Sequence, residues 1–127
     1  MVLILILAIV EWIAGVVLLV MALKMREGTL RRNQFSGVRT RWTLANDEAW
    51  QAAHKSVWPH NMLLAALMIA GGVVVLFWTF DETMLRSWAF WVLIAIYVGL
   101  FVLSGVMVRA ANAAARPLVE TNRDRRA

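Results

Sequence analysis

Three long apolar runs dominate the chain and predict three membrane-spanning helices. The first covers about 2–23 and contains a single charged residue, Glu11. The second covers about 61–80 and the third about 87–109. Each has the roughly 20 residues that a helix needs to cross a hydrocarbon layer about 30 Å thick. We therefore expect an all-α, polytopic membrane protein with three transmembrane helices, forming a single membrane domain over 1–127.

The composition supports this interpretation. Of the 127 residues, 61% are hydrophobic and 17% are charged, whereas a soluble domain is about half apolar and about a quarter charged. A soluble chain of this length could not bury so much apolar surface in one core. Because there is no cysteine, disulfide scaffolds, thiolate metal sites and cysteine nucleophiles are excluded.

The basic residues predict the orientation of the chain. Twelve of the thirteen lysines and arginines lie in the first loop, 24–60, or in the segment from Arg109 onward, and the short connector before the third span holds only Arg86. The positive-inside rule then places loop 24–60 and tail 110–127 in the cytoplasm and the N-terminus outside. Because the orientation of the chain accounts for the distribution of its lysines and arginines, we expect no nucleic-acid binding.

The first loop carries the most specific polar pattern of the chain. Gly37 indicates a backbone turn that a side chain would hinder. Thr43 or Asn46 can cap a following helix, and Asp47 and Glu48 suit the positive N-terminal end of that helix.

The segment after this cap predicts an interfacial amphipathic helix. Trp50, Ala53 and Val57 share one helical face, so the segment can lie in the headgroup layer. Pro59 is read as the start of the second span, because proline is tolerated in a first helical turn. The cytoplasmic motif loop would thus cover 24–60.

One family shares this loop pattern. The pattern reads Asn33-x-Phe35-x-Gly37-x-Arg39-Thr40, followed by Thr43, Asn46, Glu48 and Trp50. It resembles the signature of the SdpI family, bacterial membrane proteins named for an immunity protein against a sporulation-delaying toxin. The resemblance extends from residue 33 to the end of the second span and more loosely to the third. The chain departs from it at Val38, where an aromatic residue is common, and in having one span before the motif instead of several.

The resemblance implies a non-enzymatic protein of the bacterial cytoplasmic membrane that associates with a membrane partner. Toxin immunity, sequestration of a regulator and an accessory role in a membrane complex are the alternatives. The motif residues would form the binding surface, and the partners would be the lipid bilayer and either another membrane protein or a second copy of the chain. We expect no cofactor, and the sequence identifies no small-molecule ligand.

Polar residues inside the spans suggest a second candidate site. Glu11 lies at about the same depth as Tyr97 and as Gly71 and Gly72, so we expect it to contact the tyrosine or the glycine backbone. Ser104 follows Tyr97 one heptad later on nearly the same face. Glu11 is either a hydrogen-bonded clamp or the coupling group of a proton- or cation-driven transporter subunit, and both alternatives stay open.

Two further expectations concern single side chains. His54 and His60 are six residues apart and face different sides of a helix, so with no HExxH pattern we expect no metal site. Arg39 is expected to be held by Asp47, Glu48 or helix-end carbonyls, the alternative being a contact with lipid phosphates.

Overall fold

The computed structural model describes residues 2–33, 36–80 and 86–125, and this part of the chain is built from helices and loops without a strand. The helices are α1 (Val2–Glu27), α2 (Asp47–Phe80) and α3 (Arg86–Asp124). All three are long and apolar enough to cross a membrane. The predicted fold class is confirmed, and the chain is an all-α, multi-pass membrane protein.

Helix α2 lies between the other two helices. It packs against both α1 and α3, whereas in the described residues no Cα atoms of α1 and α3 come within 8 Å of each other. Small residues allow the close approach of α1 to α2: a Cβ atom on Gly15 would lie 3.2 Å from the Ala65 carbonyl oxygen and 2.6 Å from Ile69 Cγ1. The outward faces carry exposed large apolar side chains, of which Phe101 is 82% exposed. Such faces suit lipid contact.

The helices are longer than the membrane is thick. With 34 residues in α2 and 39 in α3, they extend about 51 Å and about 58 Å, against a hydrocarbon layer of about 30 Å. Only five residues connect them, so the additional 20 Å or so lies at the end away from the connector. Most of the predicted cytoplasmic tail, 110–127, is helical, because α3 continues to Asp124 and buries Ala111 and Ala115 completely.

The prediction of a separate interfacial amphipathic helix is wrong. Residues 47–60 are not a separate helix, since α2 continues through Pro59. The face formed by Trp50, Ala53 and Val57 is completely buried against protein instead of lying in headgroups. An internal proline costs about 3 kcal/mol, but burying a large apolar side chain stabilises by about 1.5–3 kcal/mol. Two such side chains on this face therefore offset the cost of Pro59.

Helix α1 ends in a defined glycine motif. Gly28 has a φ of +72°, a conformation that favours glycine because it has no Cβ atom. Its N–H donates to the Met25 carbonyl at 3.3 Å, and the Thr29 N–H donates to the Lys24 carbonyl at 2.9 Å. This pair of bonds is a Schellman motif, and it turns the chain back towards the start of α2.

Candidate functional site: the motif loop and the intramembrane pair

The loop between α1 and α2 is shorter than the predicted 24–60, because α1 ends at Glu27 and α2 begins at Asp47. We use the name motif loop from here on for residues 28–46, described over 28–33 and 36–46, which fold over an apolar core at the projecting end of the helices. Side chains from all three helices and from the loop meet in this core, and their exposure is 5% or less. They are Met25, Leu30, Val38, Ala49, Trp50, Ala53, Val57, Ala111 and Ala115. The signature residues are therefore parts of a folded structure and not of an extended linker.

Gly37 and His54 meet at the centre of this structure. Gly37 has a φ of +96°, and a Cβ atom there would collide with His54 Nε2 and lie 3.2 Å from the Trp50 ring. The next residue, Val38, donates its N–H to His54 Nε2 at 2.9 Å. Because Nε2 accepts this bond, the proton of a neutral ring lies on Nδ1, which donates to the Trp50 carbonyl at 2.7 Å. His54 thus joins the loop to α2.

Two threonines connect the loop to α3. Thr43 is completely buried. Its hydroxyl donates to the Val38 carbonyl at 2.7 Å and accepts the Thr40 N–H at 2.9 Å. The Thr40 hydroxyl donates to Asn112 Oδ1 at 2.5 Å. Since Asn112 belongs to α3, one continuous set of hydrogen bonds runs from the loop to the third helix.

Two asparagines accept backbone N–H groups of the loop and of α2. Asn33 Oδ1 accepts the Ser36 N–H at 2.7 Å. Asn46 caps α2, because its Oδ1 accepts the Ala49 N–H at 2.7 Å. Of the two predicted caps, Asn46 is therefore confirmed and Thr43 has a different role. Phe35 lies outside the described residues.

The charged residues of the motif pair differently from the expectation. Arg32, and not Arg39, forms the ion pair with Asp47, with Nε 3.1 Å from Oδ1. Glu48 accepts a long hydrogen bond of 3.4 Å from Asn122 on α3. Arg39 is exposed. The predicted pairing of Arg39 with Asp47 or Glu48 is wrong because both carboxylates face other partners.

Arginines also stack on tryptophans around the loop. Trp42 lies under two guanidinium groups, Arg41 at 4.7 Å and Arg116 at 5.5 Å from the ring centroid. Arg26 lies 5.4 Å from the Trp58 ring. These cation–π contacts join α1 to α2 and the loop to α3 at their surface. Trp50, by contrast, is a core residue, and its Nε1–H donates to the Leu30 carbonyl at 2.8 Å.

The intramembrane pair forms as predicted. The Tyr97 hydroxyl of α3 donates to Glu11 Oε1 of α1. Gly71 of α2 faces the same carboxyl group. A Cβ atom on Gly71 would lie 3.0 Å from Glu11 Oε2, so the absence of a side chain there makes room for the carboxyl group. Oε2 is buried and has no hydrogen-bond partner in the described part of the chain. Ser104 does not join this pair, because its hydroxyl donates to the Leu100 carbonyl of its own helix.

Three residues with tertiary roles were not identified from the sequence. His54 lies four residues after Trp50 and so continues its buried face, a signal that helical spacing contained. Helical spacing from a predicted buried residue did not single out Asn112 or Asn61. Asn61 Nδ2 donates to the Leu18 carbonyl at 2.7 Å. Within the described ranges, His, Asp and Glu do not gather in a group of three that could hold a metal ion.

Comparison with known protein families matches residues 29–108 to the SdpI/YfhL protein family. The matched region begins in the motif loop and continues through α2 and most of the apolar part of α3. The chain belongs to the SdpI/YfhL family. This membership and the three apolar helices identify it as a small membrane protein. Searches of curated proteins and of solved structures gave no match.

Proposed function

We propose that this SdpI/YfhL family protein acts without catalysis, by associating with a membrane partner through the exposed surface of the motif loop. Toxin immunity, sequestration of a regulator and service as an accessory subunit are all forms of such association. One observation carries the proposal. The motif residues build a folded, hydrogen-bonded platform, although a loop that served topology alone would need only basic residues.

The proposal includes an orientation in the bacterial cytoplasmic membrane. The positive-inside rule supports an outside N-terminus and a cytoplasmic platform, because the arginine-rich loop and the end of α3 lie together. Fusions of a phosphatase that is active only outside the cytoplasm test this orientation. We expect no phosphatase activity from a C-terminal fusion and full activity from an insertion between Phe80 and Arg86. The reverse pattern would contradict the orientation.

A photo-crosslinking experiment tests the association itself. A photoreactive amino acid replaces Arg41 on the loop surface or Arg125 at the end of α3, both exposed, and membranes of the native host are irradiated. We expect a discrete adduct from position 41 and none from position 125. Absence of an adduct at 41, or equal adducts at both positions, would contradict a recognition surface on the loop.

The second candidate is a proton- or cation-coupled transporter subunit. The observation in its favour is Glu11 Oε2, a buried carboxyl oxygen with no described partner. The Tyr97 contact and the close Gly71 backbone favour a structural clamp instead. Solute flux driven by a pH gradient in proteoliposomes, lost in Glu11→Gln, would replace the association proposal with this one.

A further inference from the structure

An open cleft of about 370 Å³ lies on the motif loop, lined by Arg32, Asn33, Arg39 and Leu44. Arg32 is fixed in this cleft. Its Nη1 donates to the Leu44 carbonyl at 2.9 Å, and its Nε lies 3.1 Å from Asp47 Oδ1. A guanidinium has five N–H donors, so three remain to meet a ligand.

Arg39 lines the same cleft without a partner. In the ranges that the structure describes, its side chain makes no hydrogen bond and no ion pair. One anchored and one unpaired guanidinium therefore border a single cleft. Planar guanidinium groups bind the two oxygens of a carboxylate with paired hydrogen bonds.

The surrounding surface has an excess of positive charge. Arg31 and Arg41 are also exposed beside the cleft residues in the chain. Two carboxylates lie nearby, Asp47 paired with Arg32 and Glu48 bonded to Asn122, and the four arginines of this surface outnumber them. Such a surface attracts an acidic ligand and repels a basic one.

The ligand of this cleft could be an acidic protein segment or a lipid headgroup. The distance between the cleft and the hydrocarbon layer, measured along α2, bears on this choice. Asp47, which holds Arg32, begins α2 about 21 Å before Asn61 along the helix axis. Asn61 is level with Leu18, which is about 7 Å inside the predicted end of the first span at Leu23. The cleft therefore lies about 13 Å beyond the hydrocarbon, whereas a headgroup layer is only about 5–7 Å thick. With the span ending at Leu23, this placement favours an acidic protein segment over a lipid phosphate as the ligand.

We propose that the cleft between Arg32 and Arg39 binds a carboxylate side chain from an acidic segment of the protein partner. This inference rests on the proposed function and adds the chemistry of the partner. The two proposals fail separately, because a crosslinked adduct at position 41 can persist when no acidic segment binds.

The test uses the full-length protein in phosphatidylcholine nanodiscs and a fluorescein-labelled peptide of alternating glutamate and alanine. Fluorescence anisotropy measures binding, with a glutamine–alanine peptide as the uncharged comparison. We expect the wild type to bind the glutamate peptide alone. Arg39→Gln should weaken binding about tenfold, the effect of losing roughly one charge-assisted hydrogen-bonded pair. The control, Arg125→Gln, removes the same charge from an exposed position and should weaken binding less than about twofold, as expected of a remote screened charge.

The Arg39→Gln variant should fold normally, because the Arg39 side chain makes no described hydrogen bond or ion pair. Thermal melting of the variant, followed by tryptophan fluorescence, checks its folding. Failure of the wild type to bind the glutamate peptide overturns the proposal. Equal losses in Arg39→Gln and Arg125→Gln overturn it too, since they indicate diffuse charge instead of a site. Native mass spectrometry covers the lipid alternative: loss of a bound phosphatidylglycerol in Arg39→Gln but not in Arg125→Gln would assign the cleft to a headgroup.

Discussion

The two ends of this molecule are stabilised in different ways. At the motif loop, polar side chains are paired across three chain segments, as the buried Thr43 and His54 and the half-buried Asn112 are. In the apolar halves of the helices, many large side chains point outward. Two described polar bridges join helices there, Glu11 to Tyr97 between α1 and α3 and Asn61 to the Leu18 carbonyl between α2 and α1. The loop end is thus fixed by many directional bonds, whereas the spans are held mainly by close backbone approach.

The difference follows from the solvent at each end. Water surrounds the projecting end, so burial of Trp50 and Val38 there is driven by the hydrophobic effect. Lipid provides no such force between helices, and close approach through small residues such as Gly15 replaces it. The comparison indicates that substitutions in the loop core cost more stability than substitutions in the spans.

The largest expected effect is that of Gly37→Ala. The added Cβ atom is strained at a φ of +96° and collides with His54, so the ring must release the Val38 N–H. Left-handed strain of about 1–2 kcal/mol and one unsatisfied buried donor of about 1–3 kcal/mol predict a loss of about 2–5 kcal/mol. Thermal unfolding in detergent, followed by tryptophan fluorescence, measures the change.

Gly105→Ala is the matched control for this experiment. A Cβ atom on Gly105 meets nothing within 4 Å, and alanine is the better helix former by about 1 kcal/mol. The control should therefore be neutral or slightly stabilising. If the two variants melted alike, the loop core would not be the rigid part of the molecule.

A smaller loss is expected for Thr43→Val, which keeps the shape of the side chain and removes its hydroxyl. The Val38 carbonyl and the Thr40 N–H then lose a buried partner, which costs about 1–3 kcal/mol. Thr29→Val removes a hydroxyl that makes only an exposed, 3.4 Å bond, and should change stability by less than about 0.5 kcal/mol. Equal melting temperatures for the two variants would refute the role of Thr43.

Local patterns predicted the helices, the α2 cap at Asn46 and the depth match of Glu11 with Tyr97. These features depend on runs of residues and on helical rise, which a sequence displays directly. The continuity of α2 through Pro59 could not be predicted in this way, because packing of Trp50 and Val57 overrides the local preference of proline.

The partners of the charged side chains could not be predicted from the sequence either. Asp47 and Glu48 were the nearest carboxylates to Arg39 in the motif, yet Arg32 and Asn122 occupy them. Asn122 belongs to α3 and is 74 residues from Glu48, so a single sequence gives no indication of this contact. The partners of a polar side chain depend on tertiary placement, which spacing alone does not fix.

The smallest expected effect is in the membrane, where Tyr97→Phe removes the hydroxyl that binds Glu11. Interhelical hydrogen bonds in membranes average about 0.6 kcal/mol, because groups in the unfolded state also find partners in the bilayer. A structural clamp therefore predicts a slight fall in melting temperature and an unchanged adduct at position 41. Ser104→Ala, which removes a hydroxyl bonded within its own helix, is the control. A loss above about 2 kcal/mol in Tyr97→Phe would exceed the largest values known for such bonds. It would show that the spans, like the motif loop, depend on a directional bond, and the contrast between the two ends would no longer hold.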